Sequence, residues 1–223
     1  MSLSQQAYGH LRDMVRSGMI SADEPLSERT LAEQIGLGRT PVREALKQLE
    51  RNGLIEVIPG RGTFVKRLTL SEMRELYEVR MGVEGISACI AAQRGGTPAL
   101  AAFRPVFVSH LDSKPGDFDV AEIQDAGVQF HKELVVATGN QRLMRLHLDL
   151  NDQIALSMRL TREHDHERVR KTVAEHLKIL DFVLAGDPEA AQGALYEHLS
   201  NALAARVRIF SFLDRSRLPA AAL

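Results

Sequence analysis

Hydrophobic spacing changes period once in this chain, near residue 54, and that single change restricts the architectures open to it. Before it, three short helices are predicted. Residues 5–17 place Ala7, Leu11, Met14 and Val15 on one face, with Arg12, Asp13 and Arg16 on the other. Ser27 is a plausible N-cap for a second helix carrying Leu31, Ala32 and Ile35, which stops at Gly36. The pair Thr40-Pro41 predicts the start of a third, a capping hydroxyl before a proline at N1, with Val42, Ala45, Leu46 and Leu49 inward and Asn52-Gly53 as the stop. Leu54–Ile58 and Thr63–Lys66, either side of Pro59-Gly60-Arg61-Gly62, then read as a small β-hairpin.

From Thr69 onward the period is helical throughout. Thr69-Leu70-Ser71-Glu72 has capping-box spacing and opens a helix to about Arg94. Breaks are expected at Gly95–Pro98, Lys114–Asp117, Thr138–Asn140 and Gly186–Pro188. The expected fold is therefore mainly α: a unit over 1–68 of three helices plus a hairpin, followed over 69–223 by an antiparallel all-helical bundle.

Composition narrows the class. With 44% hydrophobic and 26% charged residues over 223 positions, and a formal charge of -1, the chain is neither disordered nor collagen-like nor, with Cys89 alone, a disulfide scaffold. No apolar run reaches the ~20 residues a bilayer span needs. The start, Met1–Gln6, lacks a basic, apolar leader, so a cytoplasmic location without membrane contact is expected. Residues 1–68 carry ten Lys/Arg against eight Asp/Glu, a formal +2, whereas 69–223 carry a formal -3. So small an excess is weak evidence for a nucleic-acid partner, and position matters more than the total.

Those positions are informative. Across the glycine turn Ile35–Gly38, Arg39, Arg43 and Lys47 recur at every fourth residue opposite the apolar face, with Thr40 and Glu44 beside them. A helix so placed can enter a major groove, where an arginine fork holds phosphate or reads a guanine edge. At the hairpin tip Gly60 allows close backbone approach, and Arg61 can reach a minor groove or a phosphate. The alternative is a merely solvated basic face.

The run Pro25–Leu46, continuing through Leu49-Glu50, Gly53-Leu54 and Pro59–Gly62, closely resembles the winged helix-turn-helix of GntR-family transcription regulators. Leu76–Arg80 through Glu84, Phe130-His131, Gly139-Asn140, Glu175-His176, Gly186-Asp187 and His198-Leu199 resemble the effector domain of the FadR subfamily, the FCD domain. The resemblance implies DNA contacts by Arg29, Arg39, Thr40, Arg43 and Gly60. Gly38 departs from it, standing where many members have Ser or Thr.

His131, His176 and His198 lie on three separate predicted helices among apolar neighbours, and spacing alone does not bring them together. The resemblance implies that they ligate a divalent metal; imidazole suits Zn, Ni, Mn or Fe. Where the family pattern has Asp, one turn before the first histidine, this chain has Gly127. Asp125 is the nearby carboxylate, but six residues before His131 it falls about 600° around the helix, on the far side. A three-histidine site with water is the expected arrangement. Arg80, read as inward with Met81, Val83 and Ile86, needs an anion: either Glu84, four residues along, or an effector carboxylate, as the resemblance implies. Asn151 and Arg159 are further candidates for that cavity.

These features point to a regulator that binds a palindromic double-stranded operator as a homodimer and senses a small organic acid. The rival reading is a metal-dependent enzyme with an N-terminal targeting unit. Against it stand the absence of nucleophile-elbow, phosphate-loop and His-Glu-x-x-His motifs, and of a general base beside His131.

Overall fold

The computed structural model describes residues 1–114, 117–159 and 166–216, the side chains of 158–159 and 211–216 excepted. Its contacts divide it into two compact units. The first is Met1–Glu72 together with the part of a later helix that begins at Asp149.

In the first unit, α1 (Leu3–Ser17) is closed at its start by a reciprocal Ser2–Gln5 capping box. Next, α2 (Glu28–Ile35) is capped by Ser27, whose hydroxyl accepts from the Thr30 amide, and ends at Gly36 in the left-handed region, φ 67°. The apolar face of α3 (Arg39–Arg51), Val42, Ala45, Leu46 and Leu49, is buried as the spacing predicts. Its start corrects the sequence reading. Gly38 is the N-cap, without a side-chain bond, and Thr40 lies one residue inside the helix. Pro41 at N3 forfeits nothing, because the first amide that needs an intrahelical partner is Val42, which bonds the Gly38 carbonyl at 3.4 Å. Strands β1 (Ile55–Ile58) and β2 (Gly62–Val65) pair antiparallel, Ile55 opposite Val65 and Ile58 opposite Gly62. The Arg61 amide closes the tip on the Ile58 carbonyl at 3.0 Å, with Gly60 at φ 74°.

The second unit is helical. Its long helix α4 (Leu70–Gln93) starts with the predicted capping box: the Glu72 carboxylate accepts from the Thr69 amide at 2.8 Å, and the Thr69 hydroxyl from the Glu72 amide at 3.2 Å. Thr97 caps the short α5 (Pro98–Ala101), and α6 (Phe103–Asp112) follows. Then come α7 (Val120–Ala137), α8 (Gln141–Arg159), α9 (His166–Ala185) and α10 (Pro188–Ser216). The sequence reading has no break between Asn140 and Gly186, where the structure ends α8 and begins α9; no glycine or proline marks the place. A core of Phe107, Phe130, Leu134, Ile179, Leu180, Leu195 and Leu199 holds α6, α7, α9 and α10 together. Among the described residues, no helix is long and apolar enough to cross a membrane.

Candidate functional site

Two sites emerge, one in each unit. On α3 the side chains of Arg39, Thr40, Arg43 and Lys47 are exposed opposite the buried face, and Arg29 is exposed on α2. Most of these cations already have an internal anion. Arg43 donates through Nε and Nη2 to both oxygens of Glu28 at 2.9–3.2 Å, Lys47 reaches Glu44 at 3.1 Å, and Arg29 lies 3.7 Å from Glu33. The Arg43 fork holds the Glu28 carboxyl below the usual carboxylate range. At the hairpin tip Gly60 and Arg61 are exposed, the guanidinium 5.7 Å from the Phe64 ring centre.

The second site is built from helix phase. His131 follows Phe130 on the inner side of α7, His176 lies between Val173 and Ile179 on α9, and His198 between Leu195 and Leu199 on α10. All three are buried, 7%, 5% and 4% exposed. His131 Nε2 stands 3.2 Å from His176 Nε2 and 3.1 Å from His198 Nε2. Phe107 and Phe130 wall the His176 ring at centroid distances of 5.5 and 5.4 Å.

Carboxylates fix two of the three rings from behind. His198 Nδ1 is hydrogen-bonded to Glu175 Oε2 at 2.8 Å, so that Nδ1 carries the proton and its Nε2 turns a lone pair inward. His131 Nδ1 lies 2.7 Å from Glu84 Oε2, in close charge contact but without hydrogen-bond alignment. Asn201 donates to the other Glu175 oxygen at 2.9 Å. No hydrogen-bond partner meets His176 Nδ1 among the described residues. Burial, together with the neighbouring imidazoles, pushes His176 well below its ordinary value and His198 down to about 4, the Glu175 bond notwithstanding. Both rings are neutral near pH 7 and able to donate to a cation.

This donor set fits a divalent metal. Metal–nitrogen bonds of ~2.0–2.1 Å at tetrahedral or octahedral angles separate the nitrogens by about 2.9–3.4 Å, the spacing found here. Asp125 is not among the converging groups: it is exposed on α7, as its helical phase requires. Gly127 is packed against the site instead. A Cβ there would stand 2.7 Å from His176 Cε1, so the ring in its present position excludes any side chain at 127.

Arg80 is buried at 5% exposure, and of its two possible anions the structure contains the internal one. Nε donates to Glu84 Oε1 at 2.8 Å and Nη2 to Oε2 at 3.3 Å, with the Tyr77 ring 4.9 Å away. Burial alone would raise the Glu84 carboxyl, but Arg80 and His131 outweigh it and hold it well below the carboxylate range. A carboxylate therefore does stand beside His131, yet it is doubly engaged and poorly suited as a base. Ile86, read as inward, is exposed, and Asn151 is half-buried in the part of α8 that belongs to the first unit. Arg159 closes α8, and its side chain lies outside the described residues.

Sequence reasoning missed three participants. Glu84 was legible only as a partner four residues after Arg80, and Glu175 only as the neighbour of His176. His147, 4% exposed with Nε2 3.7 Å from Glu84 Oε1, had no signal to separate it from a structural histidine.

Residues 3–65 match the profile of the bacterial regulatory proteins of the gntR family, and residues 75–201 that of the FCD domain. An uncharacterized HTH-type transcriptional regulator in an unstable DNA locus of Streptomyces ambofaciens is 30% identical over 204 residues, covering 86% of this chain and 80% of that protein. The HTH-type transcriptional regulator LutR of Bacillus subtilis (strain 168) is 28% identical over 208 residues, 84% and 94% of the two chains. The solved structure of E. coli McbR/YncC superposes with a TM-score of 0.76 at 21% identity, over 94% of this chain and 99% of that one, a likeness of fold.

Proposed function

Because the chain belongs to the gntR family of bacterial regulatory proteins, with an FCD effector domain behind its winged helix-turn-helix, we propose that it is a cytoplasmic regulator whose operator affinity is set by a small acid bound at a metal in the helical unit. Such a family is one of DNA-binding transcription regulators and not of enzymes, which sets the metalloenzyme reading aside.

On DNA, α3 enters a major groove and Arg39, Thr40 and Arg43 meet base edges and phosphates near its start, with Lys47 and Arg29 on the backbone. Gly60 and Arg61 lie alongside as the wing. One such unit offers a modest interface, and pairing two copies on a palindrome supplies the remaining affinity. Residues 1–68 are assigned to this task, 69–223 to sensing and dimerisation.

The observation that carries the sensing half is the convergence of three buried Nε2 atoms. His131, His176 and His198 would hold the ion, Zn, Ni, Mn or Fe. A divalent cation on three imidazoles leaves coordination positions at which an acid's carboxylate can bond. Glu84 and Glu175 orient their rings for it. Arg80, bound to Glu84, would answer the carboxylate's charge only by sharing its fork, with Asn151 and Arg159 as weaker contributors.

Two experiments test this reading. Replacing Arg43 by Ala is expected to weaken binding to a duplex selected by the protein from a random-sequence pool by on the order of ten- to a hundredfold. Unchanged affinity in a filter or mobility-shift titration would remove Arg43 from the DNA face. Thermal melting against a panel of small carboxylates, with chelator or with zinc, reads the sensor. An acid at ~100 times its Kd adds about 2.7 kcal/mol. Stabilisation is expected only when metal is present; an equal shift in chelator would mean that the acid binds without it.

A further inference from the structure

Two buried polar contacts that have nothing in common except the helix carrying them lie five positions apart on α8. His147, near the helix start, faces Glu84 Oε1 at 3.7 Å, and Glu84 Oε2 holds His131 Nδ1 at 2.7 Å. Further along, Asp152, 7% exposed, accepts the Tyr8 hydroxyl at 3.0 Å and lies 3.6 Å from Arg16. The same Tyr8 oxygen accepts from Asn52 Nδ2 at 2.7 Å, and Gln153 donates to the Asn52 carbonyl at 3.2 Å. Asn52 is the C-cap of α3. Gly53 admits this arrangement: a Cβ on it would stand 3.0 Å from Gln153 Nε2. One side-chain bond, from Gln153, therefore fastens α8 directly to the end of the helix proposed to read DNA. A second path runs from Asp152 through the Tyr8 hydroxyl to the Asn52 side chain, and Tyr8 and Arg16 tie α8 to α1.

We propose that α8 carries the occupancy of the histidine centre to the reader helix, through His131–Glu84–His147 at one end and Asp152 and Gln153 on Tyr8 and Asn52 at the other. The inference rests on the metal reading above. Engaging Nε2 of His131 adds positive charge to the ring that faces Glu84 Oε2 at 2.7 Å and strengthens its pull on that carboxylate. Glu84 Oε1, bonded to Arg80 and packed 3.7 Å from His147 Nε2, then shifts against the His147 ring. A helix turns ~140° and rises ~7.5 Å over five residues, so a displacement at His147 reappears as a rotation or shift at Asp152 and Gln153. The end of α3 follows, because the Asn52 carbonyl is bonded to Gln153 and the Asn52 side chain to the Tyr8 hydroxyl that Asp152 holds.

The test compares wild-type protein with Tyr8→Phe, Gln153→Ala and the double variant. Affinity for the selected duplex is measured in chelator and in saturating zinc, and zinc binding is measured separately by calorimetry. In the wild type zinc should change duplex affinity by about five- to 150-fold. In the double variant the ratio should fall below about twofold, with duplex affinity in chelator and the zinc Kd each within about threefold of wild type. A retained ratio in variants that still bind zinc overturns the relay and leaves the metal reading intact, as does zinc binding to the wild type without any ratio. If zinc does not bind at all, the metal reading fails and the relay falls with it. Hydrogen exchange on the wild type gives a second reading that needs no variant: zinc should alter the protection of amides 50–54, and unchanged protection there overturns the proposal.

Discussion

Replacing Glu84 by Gln is expected to destabilise the helical unit by about 3–5 kcal/mol. The carboxylate is fully buried and, among the described residues, is the carboxylate that meets the charge of Arg80, itself 5% exposed, while facing His131 Nδ1 at 2.7 Å. Gln keeps the shape but cannot answer a buried guanidinium, and its amide nitrogen turns one acceptor into a donor. Urea unfolding reads the loss as a lowered midpoint. The double variant Arg80→Met, Glu84→Gln should recover much of it, because removing both charges removes the uncompensated one. A single-variant loss below about 1 kcal/mol would mean that Arg80 finds another anion or reaches water.

The metal-free protein is also expected to lose stability steeply between pH 6.5 and pH 4. The direction follows from the folded values of His176 and His198, which lie below the unfolded value near 6.5. Between the two values the unfolded chain binds more protons, so this stability is fully present above pH 6.5 and is lost as pH falls towards the folded values. For His198, pushed down to about 4, at about 1.4 kcal/mol per pH unit the loss approaches roughly 3 kcal/mol, and His176 adds to it. Glu84 and Glu175, both held low, extend the decline below about pH 4.5, where their stabilisation is lost in turn. Melting in chelator across this range checks the expectation, and His198→Phe should flatten part of the slope. A profile flat from pH 6.5 to 4.5 would show that the imidazoles accept protons in place.

What the sequence disclosed was local. The stop at Gly36, the cap at Ser27, the box at Thr69–Glu72 and the hairpin about Gly60 are decided within four or five residues, and all are found. Thr40-Pro41 points to a start two residues too late because proline is accepted anywhere in the first turn, and Gly38, the actual cap, has no hydroxyl to signal it. The three histidines could be named only through the family likeness: positions 131, 176 and 198 meet through the packing of three helices, which no periodicity encodes. His147 shows the limit more clearly. Its partner is 63 positions away, and its flanking residues Leu146 and Leu148 are exposed, so its burial follows from helix phase alone. Asp125, by contrast, was placed on the far side of α7 by counting degrees, and it is exposed.

The pairing of Arg43 with Glu28, and of Lys47 with Glu44, bears on how this protein searches a genome. Binding to arbitrary duplex is driven by small cations released as basic side chains neutralise phosphates. A side chain that must leave an internal carboxylate before it can do so trades one anion for another, and the carboxylate set loose then recruits a counterion of its own. Contact with random sequence would thus gain little, whereas in the DNA complex proposed above the base-edge bonds of the Arg43 fork would be additional. With a whole-chain charge of -1, weak adhesion between targets shortens each unproductive encounter, and discrimination rests on the geometry of α3 more than on its charge.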